Sequence, residues 1–187
     1  MPSTEPATPS PKHLWSGTLG AGPIGIPSLN TKVELMRVPK RNHMTNDNAE
    51  LAIRAIIEAR SAAVRAGNVD GMIADLADDV VTFDVVSPLR RDGKAAARER
   101  AEGWIASYDG SIAWENRDVI IAAGGDVAFS HSLSHVTGKQ KSGPTVDMWF
   151  RTTLGFRRTG DHWLIVHEHS SSPFDPESGQ ASLGLNP

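Results

Sequence analysis

TVDMWFRTTLGFRRTGDHWLIVHEHSSSPF, running from Thr145 to Phe174, reads as two long strands joined by a tight turn at Thr159-Gly160-Asp161. Successive side chains of a strand point to opposite faces of a sheet. Strict alternation therefore puts Trp163, Ile165, His167, His169 and Ser171 on one face of the second strand. In the first strand Asp147, Trp149, Arg151 and Thr153 share one parity. A face that mixes tryptophan, carboxylate, guanidinium, hydroxyl and imidazole is odd for a plain core and for a plain surface. It fits the wall of a pocket with a polar floor.

Upstream, the chain changes character twice. Residues 1–43 hold seven of the twelve prolines, with Gly, Ser and Thr between them. Such a segment sustains neither helix nor ladder hydrogen bonds, so it is expected to be a disordered or loosely docked extension. Its glycine run, residues 20–25, has no strand before it and no helix after it, and reads as flexible chain rather than a phosphate loop. From Asn46 or Asp47, either a good N-cap, a helix is expected to run to Gly67-Asn68. Its apolar stripe is expected to comprise Leu51, Ala55, Ile56, Ala59, Ala63 and Ala66. A short helix over Val69 to Ala77, a strand over Val80 to Val86 and a helix from Lys94 to about Ser107 follow. After Asp109-Gly110 only strands remain, separated by hairpin-type connections. Helices first and a meander last predict an α+β domain over 44–175, its curved antiparallel sheet wrapped around helices, with a flexible tail over 176–187.

Composition narrows the chemistry. The formal net charge of -3 gives no reason to expect nucleic acid or an anionic membrane as partner. There is no cysteine, which excludes disulfides, thiol nucleophiles and thiolate zinc sites and fits a cytoplasmic protein. No apolar run reaches the length of a membrane span, and the N-terminus lacks the pattern of a secretory signal.

The order helix, helix, strand, helix and four strands resembles the nuclear transport factor 2-like superfamily, which includes ketosteroid isomerase. Three motifs resemble its SnoaL-like branch: Asp126 to His131, the Asp147-x-Trp149-x-Arg151-x-Thr153 strand, and the ending Trp163-x-Ile165-x-His167-x-His169-x-Ser171. The resemblance covers about residues 46–175 and implies a cone whose open end receives a small, often apolar ligand. It also implies a homodimer formed through the sheet. Members include isomerases, polyketide cyclases, dehydratases and other lyases, hydrolases and non-catalytic association domains, so the fold leaves the reaction open. The ending His167-Glu168-His169-Ser170-Ser171 also resembles that of iota-class carbonic anhydrases, with Glu168 where their middle histidine stands.

Imidazole titrates near neutral pH and both accepts and donates protons, so the strand histidines His131, His135, His167 and His169 are candidate acid/base groups. Asp84, inside the apolar run VVTFDVV, is a candidate base, and Arg151 a candidate stabiliser of negative charge on oxygen. Asp147, Trp149, Thr153, Trp163 and Ser171 are candidate substrate contacts. Histidines at i, i+2 on a strand, joined by Asp147 or Asp84, would suit a divalent ion, but the spacing is not diagnostic, and neither metal nor organic cofactor is expected. Two functions stand at this point. One is cofactor-independent acid/base chemistry on a small apolar or aromatic molecule bearing an oxygen function. The other is a non-catalytic ligand-binding or dimerisation domain.

Overall fold

In the computed structural model the described residues are 46–187, so the extension expected over 1–43, with its glycine run, lies outside them. Helix α1 (Asn46–Arg65) begins and ends close to the expected positions, closing at Gly67 with φ 63°. Its buried residues are Ala49, Ile53, Ile57, Ser61, Ala63 and Val64, so of the expected stripe only Ala63 is buried, and Leu51 is 65% exposed. The helix carries two apolar stripes side by side. The one with Ile53 and Ile57 offers the larger side chains to bury and faces the sheet.

Asn68 caps the short helix α2 (Val69–Ile73), accepting a bond from the Gly71 N–H at 3.1 Å. Strand β1 (Leu76–Phe83) begins earlier than expected, inside what read as helix. A two-residue strand β2 (Arg91–Asp92) pairs with it, and α3 (Lys94–Ala106) follows. The meander comprises β3 (Ala113–Gly124), β4 (Val127–Lys139), β5 (Thr145–Thr159) and β6 (His162–Ser171).

The six strands form one sheet in the order β2-β1-β6-β5-β4-β3. The sheet is mixed rather than wholly antiparallel: β1 runs parallel to β6, with Thr82 opposite Glu168 and Phe83 opposite His169. The parallel pair joins the first long strand to the last, so α3 and the meander together supply the long crossover that parallel pairing needs. Two bulges break the alternation. In β6, Ile165 pairs with Phe156 and His167 with Gly155, which leaves Val166 as an extra residue. In β3, one extra residue enters between Arg117 and Ile120, where Asp118 takes φ 53°. Each bulge exchanges the two faces for the rest of its strand.

The core lies between the helices and the concave side of the sheet, around Ile53, Val80, Phe156 and Ile165, each no more than 2% exposed. After β6 the chain closes on itself instead of trailing off. The Asp175 carboxylate accepts bonds from the N–H groups of Glu177 and Ser178, and Phe174 bridges to Ala181. Among the described residues no helix is long and apolar enough to cross a membrane.

Candidate functional site

Helices α1 and α3 do not fill the concave face of the sheet, and a cavity of about 310 Å³ remains between them and the strands. Its walls are mostly apolar: Ile57 and Val64 from α1, Trp104 from α3, Trp114 from β3, and Met148 and Phe150 from β5. Between these walls the chain sets charged groups, hydroxyls and amides.

Asp84 follows β1 and lines the cavity with its side chain 20% exposed. Arg100 of α3 donates from Nε to its Oδ2 at 2.7 Å, and Arg91 Nη1 lies 3.5 Å from the same oxygen. Glu168 of β6 faces the cavity too, and accepts a bond from Arg60 Nη2 at 2.5 Å. Arg60 is anchored in turn by its Nε bond to the Met72 carbonyl. The side chains of this pair are only 22% and 23% exposed, so each charge is neutralised where water is scarce.

A hydroxyl row crosses the sheet. Ser132 is opposite Thr152, Thr152 is opposite Ser170, and Asp84 stands at the end of β1 beside that row. Deeper, the wholly buried Ser134 donates to Asn116 Oδ1 and is 2.8 Å from Thr152 Oγ1, while Asn116 Nδ2 donates to Ser61. Each polar group of this buried cluster has a partner, as burial demands.

Tyr108, just after α3, is the one tyrosine of the sequence and is 5% exposed. Its ring packs edge-on to Trp104 and occupies the space where a side chain at Gly138 would begin, 2.7 Å from an ideal Cβ there. Burial pushes its hydroxyl above the usual phenol value, so near neutral pH it keeps its proton.

Of the residues singled out from the sequence, Asp84 alone lines the cavity. The expectation that Arg151 and a histidine share it is not met. Trp163 and Ile165 do point into the core, but the Val166 bulge turns His167 and His169 away and brings Glu168 and Ser170 in. The same register turns Asp147, Trp149, Arg151 and Thr153 to the outer face, while Met148, Phe150 and Thr152 face the cavity. His167 Nδ1 lies 2.8 Å from the Val81 carbonyl and its ring meets Phe83 edge-on. His169 is exposed, and Ser171 does not line the cavity.

On the outer face His135 stacks on Trp149 with ring centroids 4.5 Å apart and planes 4° from parallel. Its Nε2 lies 2.6 Å from Asp147 Oδ1, and Arg117 covers the Trp149 ring at 4.7 Å. Trp149 is therefore buried by its outer-face neighbours rather than by the core. His131 is exposed beside Phe129. Among the described residues no three His, Cys, Asp or Glu side chains come together to hold a metal ion. Arg60, Arg100, Tyr108 and Glu168 are the cavity groups that alternation did not find. A register-independent signal existed for the arginines, since each sits on a helix face that has to cover the sheet.

The family model of the SnoaL-like domain matches residues 53–175. An NTF2-like protein of unknown function from Pseudomonas putida KT2440 is 35% identical, with 75% of this chain and 98% of that one covered and a TM-score of 0.69. Two more distant structures are similar in fold alone. A ketosteroid isomerase-like protein from Erwinia carotovora atroseptica SCRI1043 has 22% identity, a TM-score of 0.56 and coverage of 66% and 96%. A proposed NTF2-like dehydratase from Streptomyces avermitilis has 19% identity, a TM-score of 0.60 and coverage of 68% and 97%. No curated protein matches the sequence.

Proposed function

This chain belongs to the SnoaL-like domain family, and we propose that it is an enzyme that moves a proton on a small apolar molecule without an organic cofactor. The observation that carries this is Asp84, a carboxylate fixed by Arg100 at 2.7 Å on the wall of a largely apolar cavity. In this proposal Asp84 removes a proton from a carbon next to a carbonyl. Tyr108, which holds its proton, donates to the oxygen on which negative charge develops, and the proton then returns from Asp84 to another position. Isomerisation, cyclisation and dehydration all begin with such a transfer. The names of the similar structures, an isomerase-like protein and a proposed dehydratase, fit that range. The lack of cysteine fits a cytoplasmic setting.

A non-catalytic ligand-binding domain is the second reading. The observation in its favour is that both cavity carboxylates are already paired with arginines. Exchange of carbon-bound protons in heavy water separates the two. A panel of small cyclic and aromatic ketones would be followed by proton NMR with wild type and Asp84→Asn. We expect one or more ketones to lose their α-proton signal faster than in buffer, and Asp84→Asn to slow that loss by about 100-fold or more. Ketones that bind but exchange no faster than in buffer would make this a binding domain.

A further inference from the structure

Charge around the cavity does not balance. Arg60 and Glu168 pair with each other, whereas Asp84 alone faces two guanidinium groups, those of Arg100 and Arg91. Arg90 and Asp92 satisfy each other at 2.6 Å and do not alter the count. Three arginines thus meet two carboxylates, an excess of one positive charge. Arg91 is the register partner of Thr82, a cavity residue, so it lies on the cavity side at the sheet edge. Its Nη2 donates to the Ser87 carbonyl, while Nη1 is buried, lacks a hydrogen bond and sits 3.5 Å from Asp84 Oδ2. Arg91 therefore offsets the Asp84 charge. Arg100 spends only Nε on that carboxylate, and among the described residues no hydrogen bond engages its Nη1 or Nη2.

A guanidinium against an apolar wall, with two parallel donors unused, matches a carboxylate in both charge and geometry. We infer that the ligand of this cavity is a monoanionic apolar carboxylate, an aromatic acid, whose carboxylate docks on Nη1 and Nη2 of Arg100. Its rings lie against Trp104, Trp114 and Phe150. One excess charge fits one carboxylate better than a phosphate, which carries nearly two charges at neutral pH. The inference names the substrate class of the proposed enzyme and rests on that cavity being its binding site. Arg100 is then the residue that decides specificity.

The test uses a matched pair of probes, 2-naphthoate and its neutral isostere 2-naphthamide, with binding measured by calorimetry at pH 7.5. Wild type is expected to bind the acid at least ten times more tightly than the amide. Arg100→Gln should erase that preference, and Arg100→Lys should restore part of it. Equal or tighter binding of the amide to wild type would overturn the inference and leave the cavity as a binding site. A preference that survives in Arg100→Gln would overturn it as well. Failure of both probes to bind would overturn the cavity reading along with it. The wild-type comparison decides the matter even if Arg100→Gln does not fold.

Discussion

Tyr108 can be followed on the intact protein before any ligand is known. The chain has no other tyrosine, so ultraviolet absorbance of the phenolate reports this hydroxyl alone. Burial raises its pKa, and the expected titration midpoint lies above the value of about 10 for a free phenol. The sign for stability follows by linkage. Below about pH 10 folded and unfolded chains both keep the proton, and this group leaves stability unchanged. Above it the unfolded chain ionises first, so stability falls as pH rises through the folded value. A midpoint at or below that of the denatured protein would show that the hydroxyl is solvated and is no donor in the cavity. Tyr108→Phe should abolish the signal. It should also leave the packing against Trp104 and Gly138 intact, because the ring that fills that space remains.

At the scale of elements, the Val166 bulge decides which side chains meet a ligand. Without Val166 the ladder from Phe156-Ile165 to Gly155-His167 becomes regular, and Trp163, Ile165, Glu168 and Ser170 keep their present faces. Deleting Val166 is therefore expected to leave a folded protein with a cooperative melt. Deleting Leu164 instead places Trp163 next to Ile165 in sequence and turns the tryptophan out of the core, where it is 5% exposed. Losing a buried tryptophan costs about 3–5 kcal/mol, a large part of a domain's stability, so that variant should not melt cooperatively. Equal damage from both deletions in thermal melts would show that the bulge is required for more than face selection.

The same bulge explains what was legible in the sequence. Helices, strands and turns were, because capping residues, glycines and apolar periodicity are local signals. Asp84 was, because a carboxylate inside an apolar run is conspicuous wherever its strand ends. His167 and His169 are assigned to the wrong face because alternation carries no memory of a one-residue insertion. Nothing in Ile165-Val166-His167 marks one, for each residue is ordinary in a strand. Trp149 misled in a second way. Bulk implies burial, but here His135 and Arg117 supply the cover from outside the core.

For the whole molecule, the outer face of the sheet needs an explanation that the cavity does not provide. Ile120, Val127 and Phe129 lie there at 55%, 64% and 49% exposure, at the other end of the strands from the stacked His135–Trp149 pair and its flanking Asp147. Charges of both signs stand on this face, Arg117 and Arg151 against Glu115 and Asp147, so a second copy turned by a two-fold axis offers complements as well as apolar area. We propose that two copies associate through it, with the apolar end of the face at the centre and the charged residues fixing register. Phe129→Asp would then place a carboxylate in each half of a dry interface, where an unpaired charge is costly. Light scattering at micromolar concentration should give twice the chain mass for wild type and the single chain mass for Phe129→Asp, with unchanged circular dichroism. Asp84→Asn, on the opposite face of the sheet, should leave the dimer as it is. A monomeric wild type, or a Phe129→Asp variant that remains dimeric, would mean that this face is exposed for some other partner or for none.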